Sequence, residues 1–247
     1  MKATRTMISV VTLVLAVASM ASATTIYSED FSAMTAGALD GQGGWTLADQ
    51  GPGTGVVNVG TGGAIDPTGM QVLPVTGHGD TIVLTRDVGG LDPTKVTTLQ
   101  FDAAAGFNGQ FGFEMGPRFH PSGDSPNTMV FEYRNFIGVI YPAGYDESPF
   151  PTGSTASFKI VLDGPSGAVS GYYDYDGTGF NLVSTFGATG LQIAGLSQLM
   201  LIEDTVGSNT GIGIDNISLT ATPEPSTLVL LGCGLVSLLA YAWRKRR

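Results

Sequence analysis

Two aspartates stand at alternate positions ahead of a glycine in the string Asp174-Tyr-Asp176-Gly177. Alternate carboxylates before a turn glycine can supply oxygen ligands to Ca²⁺ in a twelve-residue loop between two helices. Such a loop ends on a glutamate, whereas Thr185 stands at that position and the flanking residues show no helical periodicity. The string therefore predicts a hairpin tip, because Asx-Gly pairs tolerate the left-handed backbone of a tight turn.

Three tyrosines lie beside this tip, at Tyr172, Tyr173 and Tyr175. A ring with a polar end suits a wet binding surface and can stack on a sugar ring. Successive side chains of a strand point to opposite faces, so at least one of the three is expected in the core. We predict that the others form a carbohydrate-binding surface.

Catalytic patterns are scarce in the sequence. Glu114 and Glu132 lie on separate predicted strands and could meet across a sheet as a hydrolytic pair, but no E-x-D-x-x-E string occurs. His78 and His120 are isolated, and no zinc pattern, G-x-S-x-G elbow or phosphate-binding loop is present. We predict that the protein is not an enzyme. A diverged glycan hydrolase or lyase that uses Glu114 and Glu132 stays open as an alternative.

The region that must position these residues has the sequence pattern of short strands and turns. Runs of four to nine residues rich in Val, Ile, Thr, Phe and Tyr end at Gly, Pro, Asp or Asn, which predicts strands. Phe158, Ile160 and Leu162 share one face of such a strand, and this period of two is typical of antiparallel sheets. The fourteen predicted strands are 25–31, 44–47, 56–59, 70–73, 81–87, 96–104, 110–115, 129–134, 137–141, 157–162, 170–175, 180–186, 198–202 and 214–220. Turns are predicted at Asn108-Gly109, Asp163-Gly164 and Asp176-Gly177. Residues 24–222 are therefore predicted to form one all-β domain, a two-sheet antiparallel sandwich or jelly roll.

The charge of residues 24–222 excludes one class of partner. This region holds five basic and twenty acidic residues, a formal charge of −15. It has no cationic track for a phosphate backbone, so we expect no nucleic-acid partner. The single cysteine, Cys233, lies beyond this region, so the domain is expected to form no disulfide.

Residues 1–23 have the pattern of a signal peptide. Lys2 and Arg5 precede a short apolar run, and Ala21-Ser-Ala23 forms an A-x-A cleavage site. We predict that signal peptidase cleaves after Ala23, so that Thr24 begins the mature, exported protein.

The C-terminal residues form a three-part pattern. Pro223-Glu224-Pro225 comes first, residues 227–243 carry no charge, and Arg244, Lys245, Arg246 and Arg247 follow. Seventeen residues make a helix of roughly 25 Å, at the short end of what spans a bilayer core. Basic residues stay on the cytoplasmic side, so this pattern predicts one transmembrane helix with the domain outside the cytoplasm.

In this order, these three parts resemble the PEP-CTERM sorting signal of Gram-negative bacteria. The resemblance implies processing by exosortase, a membrane-embedded cysteine transpeptidase, at or near Pro223, Glu224 and Pro225. It also implies a protein that is anchored in the membrane by its C-terminal helix before processing. After processing, the protein is expected at the cell surface or in the extracellular matrix.

A second resemblance covers both edges of residues 24–222. Tyr27-Ser-Glu-Asp-Phe31, Gly41-Gln-Gly-Gly-Trp45 and Ile214-Asp-Asn-Ile-Ser-Leu219 are similar to the opening and closing segments of concanavalin A-like or LamG-like jelly rolls. Such domains often bind sugars, and their first and last strands lie side by side. The resemblance therefore implies that Glu29 or Asp30 approaches Asp215. Carboxylates beside backbone carbonyls suit Ca²⁺, so these three residues form a candidate site for structural calcium. Solvent-exposed or turn-capping acids are the alternative.

Together, these patterns favour an exported, exosortase-processed envelope or matrix protein. Its sandwich is predicted to bind extracellular polysaccharide without catalysis. A purely structural protein of a biofilm or sheath is the first alternative, and the diverged glycan hydrolase or lyase is the second.

Overall fold

The computed structural model describes most of the predicted domain and a few residues after it. The described residues are 23–50, 55–73, 81–104, 109–115, 128–133, 136–141, 144–149, 155–188, 190–204, 213–223, 234, 237, 238, 241 and 243–245. Their strands and one helix, in chain order, are β1 (Thr24–Glu29), β2 (Gly37–Ala38), β3 (Trp45–Gln50), β4 (Asn58–Gly60), β5 (Gln71–Leu73), β6 (Thr81–Asp87), β7 (Lys95–Ala104), β8 (Gly109–Met115), β9 (Thr128–Tyr133), β10 (Phe136–Tyr141), β11 (Gly144–Pro149), β12 (Thr155–Asp163), β13 (Ala168–Asp174), β14 (Asn181–Gly187), α1 (Gly190–Gly195), β15 (Leu196–Asp204) and β16 (Gly213–Pro223).

These strands form two antiparallel sheets, which we call sheet A and sheet B. Sheet A has the order β14-β13-β12-β7-β16-β5-β4-β2, and β1 also pairs with β16. Sheet B has the order β11-β10-β9-β8-β15-β6-β3. The predicted two-sheet antiparallel sandwich is confirmed.

All fourteen predicted strands occur, and all except 81–87 have shifted ends. Among the described residues the structure adds β2, β11 and the six-residue helix α1. β11 reads Gly-Tyr-Asp-Glu-Ser-Pro, which lacks the β-branched alternation that predicts a strand. The predicted turns at Asp163-Gly164 and Asp176-Gly177 are present, whereas Asn108 lies outside the described residues.

The main core lies between the two sheets. Phe158, Ile160 and Leu162 of β12 are at most 2% exposed, so the predicted shared face is buried. Phe101 of sheet A contacts Phe111 of sheet B edge to face, with ring centroids 4.7 Å apart. Close contact of this kind joins the sheets without any disulfide.

The middle of sheet B is buried on its outer face as well. Leu199 and Leu201 of β15 point into the main core, and Met200 and Ile202 alternate with them toward the other side. Met200, Ile202 and Val83 are at most 3% exposed and form a separate apolar cluster. The pattern of one buried and one solvent-facing side, which antiparallel strands commonly show, therefore does not hold for β15, whose Leu-Met-Leu-Ile run is buried on both sides.

The two terminal segments fall largely outside the described residues. Of the predicted signal peptide only Ala23 is described, and it is exposed. Gly234, Ser237, Leu238, Tyr241, Trp243, Arg244 and Lys245 are helical and exposed. Within the described part of the chain, no helix is long and apolar enough to cross a bilayer. The predicted membrane helix 227–243 lies mostly outside that part, as do Ala21, Glu224, Pro225, Arg246 and Arg247.

Candidate functional site

The first and last strands of the sandwich pair with each other. β1 runs antiparallel to β16, with Glu29 opposite Ile217 and Ser28 opposite Ser218. This pairing agrees with the adjacency implied by the concanavalin A-like resemblance. It brings the end of β1, with Glu29 and Asp30, close to Asp215.

A bulge in β16 lies at this meeting point. Asp215 pairs with Asp102 of β7, but the next pair in register joins Ser218 to Gln100, so β16 has an extra residue. Asn216 sits in the bulge with φ of 51°, in the left-handed region that asparagine tolerates better than most residues. The bulge turns the Asn216 side chain back across β7.

A chain of hydrogen bonds crosses three strands of sheet A at the bulge. Asn216 Nδ2 donates to Asp102 Oδ2 at 2.8 Å, and Ser157 Oγ donates to Asp102 Oδ1 at 2.5 Å. The Asn216 backbone N–H donates to Asp215 Oδ1 at 2.8 Å. Both oxygens of Asp102 and one of Asp215 are therefore occupied by local donors.

A shallow concavity of about 310 Å³ opens beside the bulge. It is lined by Ser28, Glu29, Asp30, Asn216 and Ile217. This volume is at the lower end for a small-molecule site.

The two carboxylates at the end of β1 hold a turn. Glu29 Oε1 accepts the Phe31 N–H at 2.8 Å, and Asp30 Oδ1 accepts the Ser32 hydroxyl and N–H at 2.7 and 3.0 Å. Phe31 is fully buried with φ of 57°, so these bonds fix a backbone conformation that disfavours a bulky residue. The Ser32 bonds lower the pKa of Asp30.

Asp215, in the same corner, has a strongly raised pKa. It is 4% exposed, and burial raises its pKa from 3.8 to about 6. The Asn216 N–H opposes this shift, while the charges of Asp102, Asp30 and Asp66 add to it. The charge of Asp30 thus acts on Asp215, as the predicted approach requires.

This acidic corner has the residue types for a cation but not a preformed ligand shell. Within the ranges that the structure describes, no group of three or more His, Cys, Asp or Glu side chains is placed to hold a metal ion. Several carboxylate oxygens of Glu29, Asp30 and Asp215 already accept hydrogen bonds. Calcium binding at these three residues stays a prediction.

Tyr172 lies on the outer face of sheet A, beside a cation. The Lys159 Nζ is 4.5 Å from the centroid of the Tyr172 ring and 4.2 Å from that of Phe180. A lysine between two rings is a cation–π arrangement, and it holds both rings in place. Leu182 pairs with Tyr172 and is 56% exposed. We call Lys159, Tyr172, Phe180 and Leu182 the aromatic patch.

The other two tyrosines separate as the strand period requires. Tyr173 is partly buried and packs against the main core. Tyr175 is 46% exposed and stacks on Tyr173, with centroids 5.9 Å apart. The structure therefore places one of the three predicted sugar-stacking tyrosines in the core and leaves Tyr172 and Tyr175 toward solvent.

The Asp174–Gly179 segment is a hairpin tip between β13 and β14. Asp174 Oδ1 accepts the Gly177 N–H at 2.8 Å, and Asp176 Oδ1 accepts the Thr178 hydroxyl and N–H. Gly177 has φ of 72°, the left-handed conformation expected for the turn. The alternating acids therefore cap the turn.

The Gly-Gly-Trp string of the opening segment has a packing role. Gly44 has φ of 78°, and a Cβ at this position would lie 1.9 Å from the guanidinium of Arg86. That guanidinium lies over the Tyr27 ring of sheet A, 5.2 Å from its centroid, while Trp45 is 1% exposed. These residues close the edge where β1 meets sheet B.

The structure does not bring Glu114 and Glu132 opposite each other. Glu132 pairs with Gln110, and Glu114 pairs with Thr128, so the two acids are four residues apart along β8 and β9. Four residues of strand span roughly 13 Å. Glycosidase carboxyls lie about 5 to 9.5 Å apart, so this backbone register does not favour a hydrolytic pair.

Sequence reasoning missed Asp102, Asn216, Lys159 and Phe180. Asp102 and Lys159 belong to the polar faces of strands that the sequence did predict, but the strand order that places them was not predictable. The residue type of Asn216 is consistent with its left-handed backbone, because a left-handed residue other than glycine is most often Asn or Asp.

Three comparisons with known proteins bear on these features. Residues 221–247 match the family model described as the PEP-CTERM protein-sorting motif. No curated protein matches the sequence at a significant level.

Solved structures share the fold at low sequence identity. A UEA-II lectin complexed with galactose superposes with a TM-score of 0.54 at 10% identity, covering 79% of this chain and 97% of its own. A peanut lectin with a 9mer peptide gives 0.51 at 9%, covering 82% and 98%. A sialidase gives 0.52 at 12%, covering 78% of this chain and 18% of the sialidase chain. The body is thus a legume-lectin-like, concanavalin A-like jelly roll, and the chain carries a PEP-CTERM sorting motif at its C-terminal end.

Proposed function

We propose that the protein is exported, is processed by exosortase at its PEP-CTERM motif, and binds extracellular polysaccharide through its lectin-like sandwich without catalysis. The observation that carries this proposal is that the sorting motif directly adjoins the last strand of the jelly roll. The sorting motif at 221–247 begins within β16, the last strand of the jelly roll. A sorted product would therefore be the jelly roll alone.

The sorting half of the proposal rests on the three-part motif. Pro223-Glu224-Pro225 precedes an uncharged segment and the basic residues Arg244–Arg247. Exosortase is the proposed partner at this motif, and signal peptidase is the proposed partner at Ala21-Ser-Ala23. Membrane anchoring by residues 227–243 before processing belongs to the same proposal.

The binding half rests on the fold, on the exposed Tyr175 and on the half-buried rings of Tyr172 and Phe180. One structural neighbour of this fold is the UEA-II lectin complexed with galactose. In this chain, the aromatic patch and Tyr175 provide ring faces near solvent, and the hairpin-tip acids Asp174 and Asp176 provide polar neighbours. A ring face beside hydrogen-bonding groups is the arrangement that stacks on a sugar.

Non-catalytic binding is supported, among the described residues, by the backbone register of the candidate acids and by the hydrogen bonds of Asp102. Glu114 and Glu132 are offset along their strands. The oxygens of Asp102 are occupied by Ser157 and Asn216. A carboxylate that caps a turn or holds a bulge is not free to exchange a proton with substrate.

A glycan array tests the binding half. The purified domain 24–222 is applied beside Tyr172→Ala and Tyr175→Ala, with Tyr172→Phe and Tyr175→Phe as matched controls that keep the rings. We expect binding to at least one polysaccharide, a loss of tenfold or more in the alanine variants, and retention in the phenylalanine variants. No binding to any glycan would favour a purely structural matrix protein, and product release from a polysaccharide would favour a hydrolase or lyase.

Processing in the producing cell tests the sorting half. Alanine in place of Pro223, Glu224 and Pro225 is expected to leave the full-length precursor in the membrane fraction, whereas the unaltered chain is shortened. Mass spectrometry of the C-terminus reads the result directly. An unaltered chain that keeps Arg247 at the cell surface would contradict exosortase processing.

A further inference from the structure

Both predicted processing points lie at one end of sheet A. Thr24, the first residue after the predicted signal-peptide cleavage, pairs with Ala221 of β16. Pro223, the first residue of the Pro-Glu-Pro string within the sorting motif, pairs with Lys95 of β7. Paired Cα atoms of antiparallel strands are about 4.5 to 5.5 Å apart, so the two points are neighbours on adjacent strands.

The strand end that carries the motif is part of the sheet. Thr222 pairs with Val96 and Pro223 with Lys95, while Ala221 pairs on both sides, with Thr97 and Thr24. Among the residues that the structure describes, β16 pairs beyond Ala221 with β7 alone. Two residue pairs therefore hold the segment that leads directly into Pro-Glu-Pro.

The β7 side of these pairs is firmly anchored. Lys95 N–H donates to the Asp92 carbonyl at 3.1 Å, and the Gly164 N–H donates to the Lys95 carbonyl at 3.1 Å. The Lys95 Nζ also lies 3.4 Å from Asp92 Oδ2. Since β7 is fixed at this end, release of the motif must come from movement of β16.

There is little chain between the sheet and the proposed membrane segment. Pro223 and Thr227 are separated by four peptide links, which extend over at most roughly 14 Å. The headgroup layer of one leaflet takes up about 5 to 7 Å of that distance. While the domain is folded, almost no unpaired chain would be left for a membrane-embedded enzyme to bind.

We propose that sheet A restrains sorting, so that Thr222 and Pro223 must separate from β7 before exosortase can act at Pro-Glu-Pro. Peptidases bind several residues in extended form on each side of the bond they cleave, and a strand inside a sheet meets this need only after local opening. Loss of one or two ladder hydrogen bonds changes the open population by roughly tenfold. The inference rests on the proposed sorting function and adds the step that limits it.

A reversible lock tests the proposal in the full-length chain. Thr222→Cys with Val96→Cys places two thiols on a paired position whose Cα spacing suits a disulfide. The matched control is Thr220→Cys with Thr98→Cys, two residues further into the same two strands and on the same face. Both variants keep Cys233, so any effect of that thiol is common to them.

Precursor and product are followed by pulse–chase in the producing cell, and the lock is opened with a reductant. We expect the oxidised Thr222–Val96 lock to slow processing tenfold or more, reductant to restore it, and the Thr220–Thr98 lock to have little effect. Six Gly/Ser residues inserted between Thr222 and Pro223 are expected to speed processing, whereas the same insert between Gly177 and Thr178 is not. Processing of the locked chain at the normal rate would overturn the restraint, and no processing of the unaltered chain would instead overturn the sorting function.

Discussion

Replacement of Asp215 by asparagine is expected to stabilise the domain at neutral pH. Asn has nearly the same shape, and its Oδ1 can still accept the Asn216 N–H that now reaches Asp215 Oδ1. The substitution removes a negative charge that is 4% exposed and that lies within the fields of Asp102, Asp30 and Asp66. Its new amide can also donate toward Asp102, its partner in register.

The magnitude follows from the pKa of Asp215. A rise from 3.8 to about 6 corresponds to an upper bound of about 3 kcal/mol at 1.36 kcal/mol per unit. The bulge borders an open concavity, so solvent screening reduces this figure to about 1–2 kcal/mol. For a domain of this size, that gain raises the melting temperature by roughly 3–6 °C.

The pH dependence has a defined sign. Because the folded-state pKa is raised, the folded protein binds a proton between pH 6 and pH 4 while the unfolded chain does not. The contribution of Asp215 to stability therefore improves as pH falls from 7 to 4 and worsens as pH rises. Asp215→Asn is expected to lack this dependence, so the two proteins should converge near pH 4.

Denaturant unfolding of residues 24–222 at pH 4, 5, 6, 7 and 8 with a chelator measures the difference. The same series with Ca²⁺ tests the calcium prediction, because a bound cation would favour the ionised Asp215 and reverse the sign at pH 7. A variant that is less stable than the parent at pH 7 in chelator, or a gap that does not change with pH, would refute the reasoning.

Three further predictions concern single positions. Gly164→Ala should lower the free energy of unfolding by more than about 2 kcal/mol, because the new Cβ would lie 2.3 Å from the Pro93 carbonyl oxygen. Gly187→Ala, with open space around the new Cβ, should lower it by less than about 1 kcal/mol. Equal melting temperatures of the two variants would contradict this packing. Phe158→Ala should cost about 3–5 kcal/mol in denaturant unfolding, since its ring is 2% exposed and stacks on Phe101 5.3 Å away; a loss below 1 kcal/mol would mean that the core is not packed as described. Asn216→Gly and Asn216→Ala both lose the side-chain bond to Asp102, but only alanine is strained at φ of 51°, so the alanine variant should be less stable than the glycine variant by about 1–2 kcal/mol in denaturant unfolding; the opposite order would rule out the left-handed bulge.

The strands could be predicted because their residues alternate. Phe158, Ile160 and Leu162 show the buried face of β12 directly, and Asp176-Gly177 shows the turn between β13 and β14. β2 has two residues and β11 has no apolar alternation, so neither carries a periodic signal. The helix α1 is six residues long and bounded by glycines, too short for a helical period to stand out.

The candidate site was predictable only as far as chain neighbours and the resemblance allow. The pairing of β1 with β16 followed from the jelly-roll resemblance, and it brought Asp30 near Asp215. Asp102 and Ser157 join the same network from two other strands, 55 residues apart in the sequence. Which strands lie side by side depends on long-range packing. No local sequence pattern could therefore have identified Asp102 and Ser157 as partners or predicted the raised pKa of Asp215.

The position of β16 also has a consequence for export. This strand, the last of the domain, joins β1, β5 and β7, which come from the first half of the sequence. In the export proposed above, sheet A cannot close until residues 213–223 have left the translocation channel. Because long-range pairing must wait for its final partner, sheet A would stay incomplete for nearly the whole passage. The topology would thus couple completion of the proposed secretion to completion of folding.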